Sequence, residues 1–229
     1  MLKLPPQDST HAESVQTETR EMILLTLIRG EENGRFVSSA ELARELNADV
    51  SVDVRLLIEQ SFVCNDSTGL LCLTQTGRDK ARGLLRRHRL AERLFTDVLN
   101  LDWARAHEEA DKLEHSLSST AEAQLATTLG YPDTCPHGNP IPSGPDSASD
   151  SRSMPLTECL PLTDVTIVRI GSETPAALQH LATLGLLPNV EIAVENKAPF
   201  DGPVLIRVGR AHYALGHNLA ARIWVTLSN

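Results

Sequence analysis

Residues 38–73 read SSAELARELNADVSVDVRLLIEQSFVCNDSTGLLCL, and this stretch decides how the N-terminal part of the chain folds. Ser38-Ser39-Ala40-Glu41 places a serine hydroxyl ahead of a carboxylate at the spacing of a capping box. The helix it starts, Ala40–Leu46, carries Leu42, Ala43 and Leu46 on one face. Asn47-Ala48-Asp49 breaks it, and Val50–Ser61 resumes a helical period with Val54, Leu57 and Ile58 apolar and Arg55 outward. Phe62-Val63-Cys64 and Leu70-Leu71-Cys72-Leu73 then flank Asn65-Asp66-Ser67-Thr68-Gly69. Two short apolar runs around an Asn/Asp/Gly cluster predict a β-hairpin. Upstream, Met22, Leu24, Leu25, Leu27 and Ile28 give Thr17–Arg29 a helical period. Three helices followed by a hairpin are the order of a winged helix-turn-helix, whose helix Val50–Gln60 would lie in a DNA major groove.

Downstream, Thr74–Leu99, Asp102–Leu117 and Ala121–Leu129 read as further helices, the last closed by Gly130 and Pro132. Pro136–Arg152 is rich in Pro, Gly, Ser and Asp and reads as a linker. Beyond it the period shortens. Strands are expected at Val165–Ile170, Val190–Glu195, Val204–Val208, Ala211–Leu215 and Arg222–Leu227, with one helix at Ala176–Leu184. Five short strands and one helix predict a small β-barrel.

The 229 residues are 41% hydrophobic but 3% aromatic, so the core must be aliphatic. Met1–Ser14 is polar and lacks an apolar h-region, so no signal peptide is expected, and the location is expected to be cytoplasmic. No apolar stretch is long enough to span a membrane. Cys64, Cys72, Cys135 and Cys159 follow neither a disulfide framework nor a CxxC pattern and read as reduced thiols. The formal net charge of −9 argues against nucleic acid as a partner until it is mapped along the chain. Arg78–Arg93 holds seven Lys/Arg and two acids, whereas Asp102–Glu122 holds six acids and two Lys/Arg.

That acidic segment carries the chemistry. His107, Asp111, Glu114 and His115 stand at i, i+4, i+7 and i+8 and share one side of a helix. On the preceding helix His88 and Glu92 are one turn apart. Such spacing also produces solvated faces with i, i+4 pairs. Here, though, three imidazoles and three carboxylates could meet across a single helix hairpin, a nitrogen and oxygen set suited to divalent Mn, Fe, Co, Ni or Zn.

With those residues in view, Arg87-His88-Arg89-Leu90-Ala91-Glu92-Arg93-Leu94 followed by His107-Glu108-Glu109-Ala110-Asp111-Lys112-Leu113-Glu114-His115 resembles the diphtheria-toxin-repressor family of metalloregulators. Cys135-Pro136-His137-Gly138-Asn139-Pro140-Ile141-Pro142 resembles the loop that follows that family's dimerisation helices. The resemblance runs from about Glu21 to the C-terminus. It implies a mainly α chain with a C-terminal β domain: a winged helix-turn-helix over 15–84, a helical metal-binding and dimerisation domain over 85–140, a flexible linker over 141–157, and an SH3-like, FeoA-like β-barrel over 158–229. It also implies a metal-dependent repressor that binds palindromic operators of metal-homeostasis genes as a homodimer when charged with Mn(II) or Fe(II), two sites per subunit.

By resemblance, Met22, Asp111, Glu114 and His115 form the activating site, His88, Glu92 and His107 the ancillary site, and Glu173 matches a ligand lent by the barrel. Ala176 stands where iron-type members carry an amide ligand. Asp111 departs too: iron-type members have cysteine there and manganese-type members a carboxylate, so Asp111 beside the thioether of Met22 makes a hybrid. A hard oxygen favours Mn(II), with Fe(II) close behind and Zn or Cd expected to bind in vitro. Tying Met22 to the helical domain through a shared ion would fix the angle of the reading head. DNA contacts are expected from Asn47, Ser51, Arg55, Arg44 and Arg78, although Asp49 and Asp53 would repel phosphate. That thin set motivates a second reading, a metal-binding dimer without specific DNA reading. A metal-dependent hydrolase ranks last, since neither HExxH nor GxSxG is present. Cys64 and Cys72 read as filler, Trp103 and Trp224 as core or interface, and His180, His212 and His217 as surface or structural histidines.

Overall fold

Ser38 caps α2 (Ser39–Glu45) as the sequence requires: its Oγ accepts from Glu41 N–H while the Glu41 carboxylate accepts from Ser38 N–H at 2.8 Å in the computed structural model. The structure describes residues 8–143, 153–171 and 174–228, which divide into two units, Met1–Leu85 and Arg86–Asn229.

In the first unit α1 (Asp8–Glu32) is longer than the periodic stretch Thr17–Arg29. Ile23, Leu24, Leu25, Leu27 and Ile28 are all buried, more than a single stripe, so this part of α1 is enclosed on several sides. α3 (Ser51–Glu59) buries Val54 and Leu57. β1 (Val63–Asn65) and β2 (Leu71–Leu73) pair antiparallel as the expected hairpin, and Val37 bridges to Leu71. The hairpin and the three helices share one apolar core that includes Leu42, Leu57, Val63, Leu71 and Leu84. The start of α4 (Gln75–Arg93) presses on the strand entry: a Cβ on Gly77 would lie 1.9 Å from the Phe62 carbonyl oxygen.

In the second unit the helices end differently from their sequence period. The last turn after α4 widens to a π-turn at Leu94–Val98. α5 (Trp103–Leu113), capped by Asp102, tightens into a 3₁₀ turn at Glu114–Ser116. α6 (Ser119–Thr128) is capped by Ser118. β3 (Met154–Pro155), β4 (Thr163–Ile170), β5 (Glu191–Lys197), β6 (Val204–Val208), β7 (Ala211–Leu215) and β8 (Ile223–Leu227) form an antiparallel sheet in the order β3-β8-β4-β5-β6-β7. α7 (Pro175–Thr183) and α8 (His217–Ala220) complete the β domain, whose core includes Ile167, Leu178, Ile192, Val194, Ile206 and Val225.

Of the linker expected over 141–157, residues 144–152 lie outside the described residues, and both described flanks are folded. Ile141 is buried with Leu90 and Ala126, and Met154–Pro155 is a sixth strand paired to β8. Composition read Pro, Ser and Asp as unstructured. The two ends are folded because apolar Ile141, Met154 and Leu156 have cores to enter. Among the described residues no helix is long and apolar enough to cross a membrane.

Candidate metal centre

Two helices and one loop of the second unit converge on a buried acid–imidazole cluster. α4 projects His88 and Glu92 from successive turns, and α5 projects His107 and Asp111 in the same way. The helix tightens to a 3₁₀ turn at Glu114–Ser116, and Glu114, two helical turns beyond His107 on the same side, is fully buried; Arg87 Nε donates to its carbonyl at 3.1 Å.

His88 stands at the centre. Its Nδ1 is 2.6 Å from Glu114 Oε2 and 3.3 Å from Asp111 Oδ1. Its Nε2 is 3.0 Å from both Glu92 Oε1 and His107 Nδ1. His107 Nδ1 is itself 2.9 Å from Glu92 Oε1. One imidazole therefore looks toward two carboxylate groups, Asp111/Glu114 on one side and Glu92 on the other. His115 Nε2 lies 3.4 Å from Glu114 Oε1, an oxygen that is buried and has no hydrogen-bond partner among the described residues. An orphaned carboxylate oxygen at low dielectric is costly unless a cation or donor satisfies it.

A third group completes the centre. His137 Nδ1 is 3.2 Å from Glu92 Oε1 and 3.8 Å from Cys135 Sγ, and its Nε2 donates to the Trp103 carbonyl at 3.0 Å. Cys135 and His137 sit on a tight turn in which Gly138 N–H donates to Cys135 O and Cys135 N–H to Asn139 O. Arginines of α4 fasten the surrounding loop by its carbonyls: Arg86 to Pro142, Arg89 to Pro140, and Arg93 to Thr134 and Cys135. Part of the basic block therefore serves the loop.

Donor atoms of three sets, His88/Glu92/His107, Glu92/Cys135/His137 and His88/Asp111/Glu114, lie within 4.8 Å of one another in each set. Their chemistry fits a divalent transition ion. Burial pushes the Glu92 carboxyl up, but the imidazoles of His137 and His88 and the His107 hydrogen bond outweigh it and hold it well below the usual carboxylate range. Burial pushes His137 down, yet Glu92 and the Cys135 contact raise it well above the ordinary imidazole value. Burial and the Glu92 charge push the Cys135 thiol up.

The sequence expectation brought His88, Glu92, His107, Asp111, Glu114 and His115 into this region, and all six are there. Met22 belongs to the first unit, half-buried against its core. Glu173 lies outside the described residues. Cys135, a reduced thiol in the sequence reading, and His137, there only part of a loop motif, are additions to that set. The available signal was Cys-x-His, a soft and a borderline donor two residues apart. In the first unit Asn47, Ser51, Arg44 and Arg55 are exposed. Arg78 is engaged instead, donating twice to the Glu31 carboxylate at 2.8 and 2.9 Å. Asp53 is drawn toward Arg20, 3.7 Å away.

The chain matches the iron dependent repressor metal-binding and dimerisation domain over residues 74–143 and the FeoA domain over 154–227. It is 33% identical over 224 residues to the iron-dependent repressor IdeR of Mycobacterium leprae, covering 91% of this chain and 96% of that one. The diphtheria toxin repressor of Corynebacterium glutamicum is 32% identical over 221 residues, covering 91% and 96%. Among solved structures, a manganese-dependent transcriptional repressor in complex with manganese superposes with a TM-score of 0.83 at 29% identity, covering 91% of this chain and 100% of that one. T. acidophilum IdeR gives 0.78 at 28% identity, covering 92% and 97%. Sequence likeness across nine-tenths of the chain, together with the buried acid–imidazole centre, places it in the iron-dependent, or diphtheria-toxin-repressor, family of metal-dependent transcriptional repressors.

Proposed function

We propose that this protein is a cytoplasmic homodimeric repressor whose Mn(II)- or Fe(II)-loaded form binds palindromic operators of metal-homeostasis genes. The observation that carries the reading is His88, held between Asp111/Glu114 and Glu92/His107 in a buried cluster. Asp111, Glu114 and His115 are proposed for the activating site. Glu92, Cys135 and His137, with His88 and His107 adjoining, are proposed for the second. A bound divalent cation supplies the positive charge that lets these carboxylates share one low-dielectric region.

The residues do the rest. Asp111 and Glu114 offer hard oxygens, which favour Mn(II), and Cys135 offers a soft sulfur, which broadens the second site toward Fe(II) and later ions. Helical spacing sets Glu114 on the side of His107 and Asp111, and Arg87 donates to its carbonyl. The winged unit exposes Ser51 and Arg55 on α3 and Arg44 on α2 for DNA. The dimerisation domain matched over 74–143 supports a two-fold assembly and hence a palindromic operator. The relatives are named as repressors and the cluster is buried, so the ion is read as an effector rather than a catalyst.

A mobility shift on the DNA upstream of the protein's own gene tests this, with Mn(II), anaerobic Fe(II), Zn(II) and chelator in parallel. A retarded band that needs metal and survives competitor DNA is expected. Equal binding with chelator and with metal would end the repressor mechanism. Metal uptake without any specific band would leave the dimer that does not read DNA.

A further inference from the structure

We infer that the β domain positions the Cys135–His137 loop through Arg169, Ile170 and Asn139, so that its docking and metal binding at Glu92, Cys135 and His137 are linked. The inference rests on the second ligand set proposed above.

The argument begins in β4. Its pairing with β8 shifts register between Ile167 and Arg169. Strict alternation from Val165 and Ile167 would turn residue 169 into the β-domain core and residue 170 out. The bulge reverses this: Ile170 joins the core, and Arg169 is re-aimed to the other face. There its guanidinium lies over the Trp224 ring, 3.8 Å from the centroid, and donates to Asn139 Oδ1 at 3.4 Å. Arg169 is 7% exposed, Asn139 5% and His137 3%, so this is a buried polar junction.

The backbone at the bulge is committed to the same loop. Asn139 Nδ2 donates to Ile170 O at 2.9 Å, and Ile170 N–H donates to His137 O at 2.9 Å. Gly138 has φ +83°, and a Cβ there would lie 2.1 Å from Val168 O, so only glycine lets the turn settle on β4. His137 is thereby fixed at its carbonyl by Ile170 and at Nε2 by Trp103 O. Its Nδ1 is left facing Glu92 and Cys135. Groups that hold a ligand imidazole in this way set its orientation and raise metal affinity. By reciprocity, metal held by the loop strengthens the grip of the loop on β4. Arg169 and Asn139 are positioning residues. They offer nothing to the ion.

The test uses full-length protein and Co(II) as the probe. Thiolate-to-cobalt charge transfer, assigned by its loss in Cys135→Ala, reports the Cys135 site. Ligand-field bands that persist in Cys135→Ala report the site of Asp111 and Glu114. Arg169→Met is expected to weaken the thiolate-bearing site by roughly ten- to a hundredfold, leave the other within about twofold, and be partly rescued by Arg169→Lys. In wild type, Co(II) is expected to slow hydrogen exchange at the Ile170 amide, and not to do so in Cys135→Ala. An Arg169→Met protein that binds like wild type, or Ile170 exchange indifferent to metal, overturns the inference. Should Arg169→Met fail to fold, the wild-type exchange measurement decides alone. No thiolate band in wild type would instead remove the ligand set itself, and this inference with it.

Discussion

As a proposed ligand beside Glu114, Asp111 would set the hardness of that site. Its oxygens lie 3.3 Å from His88 Nδ1 and 3.6 Å from His107 Nε2, so a substitution there changes donor type without emptying the neighbourhood. Asp111→Cys replaces oxygen by thiolate and is expected to raise the preference for Cd(II) over Mn(II) by about tenfold or more, as softer ions gain from sulfur. Competition titration with the two ions checks it, and an unchanged ratio would mean that Asp111 is not a ligand. At the second site the directions of the pKa shifts determine the pH behaviour. Cys135 and His137 are both raised, so at neutral pH both hold protons that an incoming cation must displace. Affinity there should fall as pH is lowered, with release of roughly two protons per ion near neutrality. Calorimetry in buffers of different ionisation enthalpy measures that count, and Cys135→Ala should lower it by about one.

At the scale of elements, close approaches matter more than propensities. Gly77 seats α4 against the Phe62 carbonyl with no room for a methyl group. Gly77→Ala should therefore destabilise the winged unit by about 1–3 kcal/mol through overpacking. Ser38→Ala, which opens the capping box, should cost about 1 kcal/mol. Urea unfolding followed by far-UV circular dichroism reads both, and an unshifted midpoint for Gly77→Ala would mean that the strand entry yields freely. The same elements show what the sequence could disclose. The capping box, the Asn/Asp/Gly hairpin and five of the strands were legible because local chemistry and period specify them. The π-turn at Leu94, the 3₁₀ turn at Glu114 and the bulge at Val168 were not, because no local period or capping residue marks them; each sits beside a contact formed only in the fold, namely Arg93 with the 134–142 loop, Arg87 with the Glu114 carbonyl, and Gly138 against β4. For the same reason Cys135 and His137 escaped notice. Their partner Glu92 is 43 residues from Cys135, and no period connects a loop to a helix.

Across the whole molecule, a net charge of −9 must be reconciled with the polyanionic partner proposed above. Much of the basic block is already engaged, Arg78 by Glu31, Arg86 by Glu122 and Pro142 O, and Arg93 by Thr134 and Asp97. Arg35 is paired with Glu45. The exposed cations on α2 and α3 are Arg44 and Arg55, and the Arg20–Asp53 pair relieves some of the repulsion that α3 would otherwise present. With so few phosphate-facing charges, affinity for non-operator DNA should be weak and specific binding should depend on base contacts more than on counterion release. The two arginines should separate these roles. Arg44→Ala should weaken all DNA alike and lower the salt slope of operator binding by about one per subunit. Arg55→Ala, on the helix proposed for the major groove, should cost roughly 1–3 kcal/mol on the operator and relax discrimination at one base position in each half-site. Fluorescence anisotropy over a salt series, with the operator and single-base variants, distinguishes them. If Arg55→Ala lowered binding equally on every sequence, α3 would not be the reading helix.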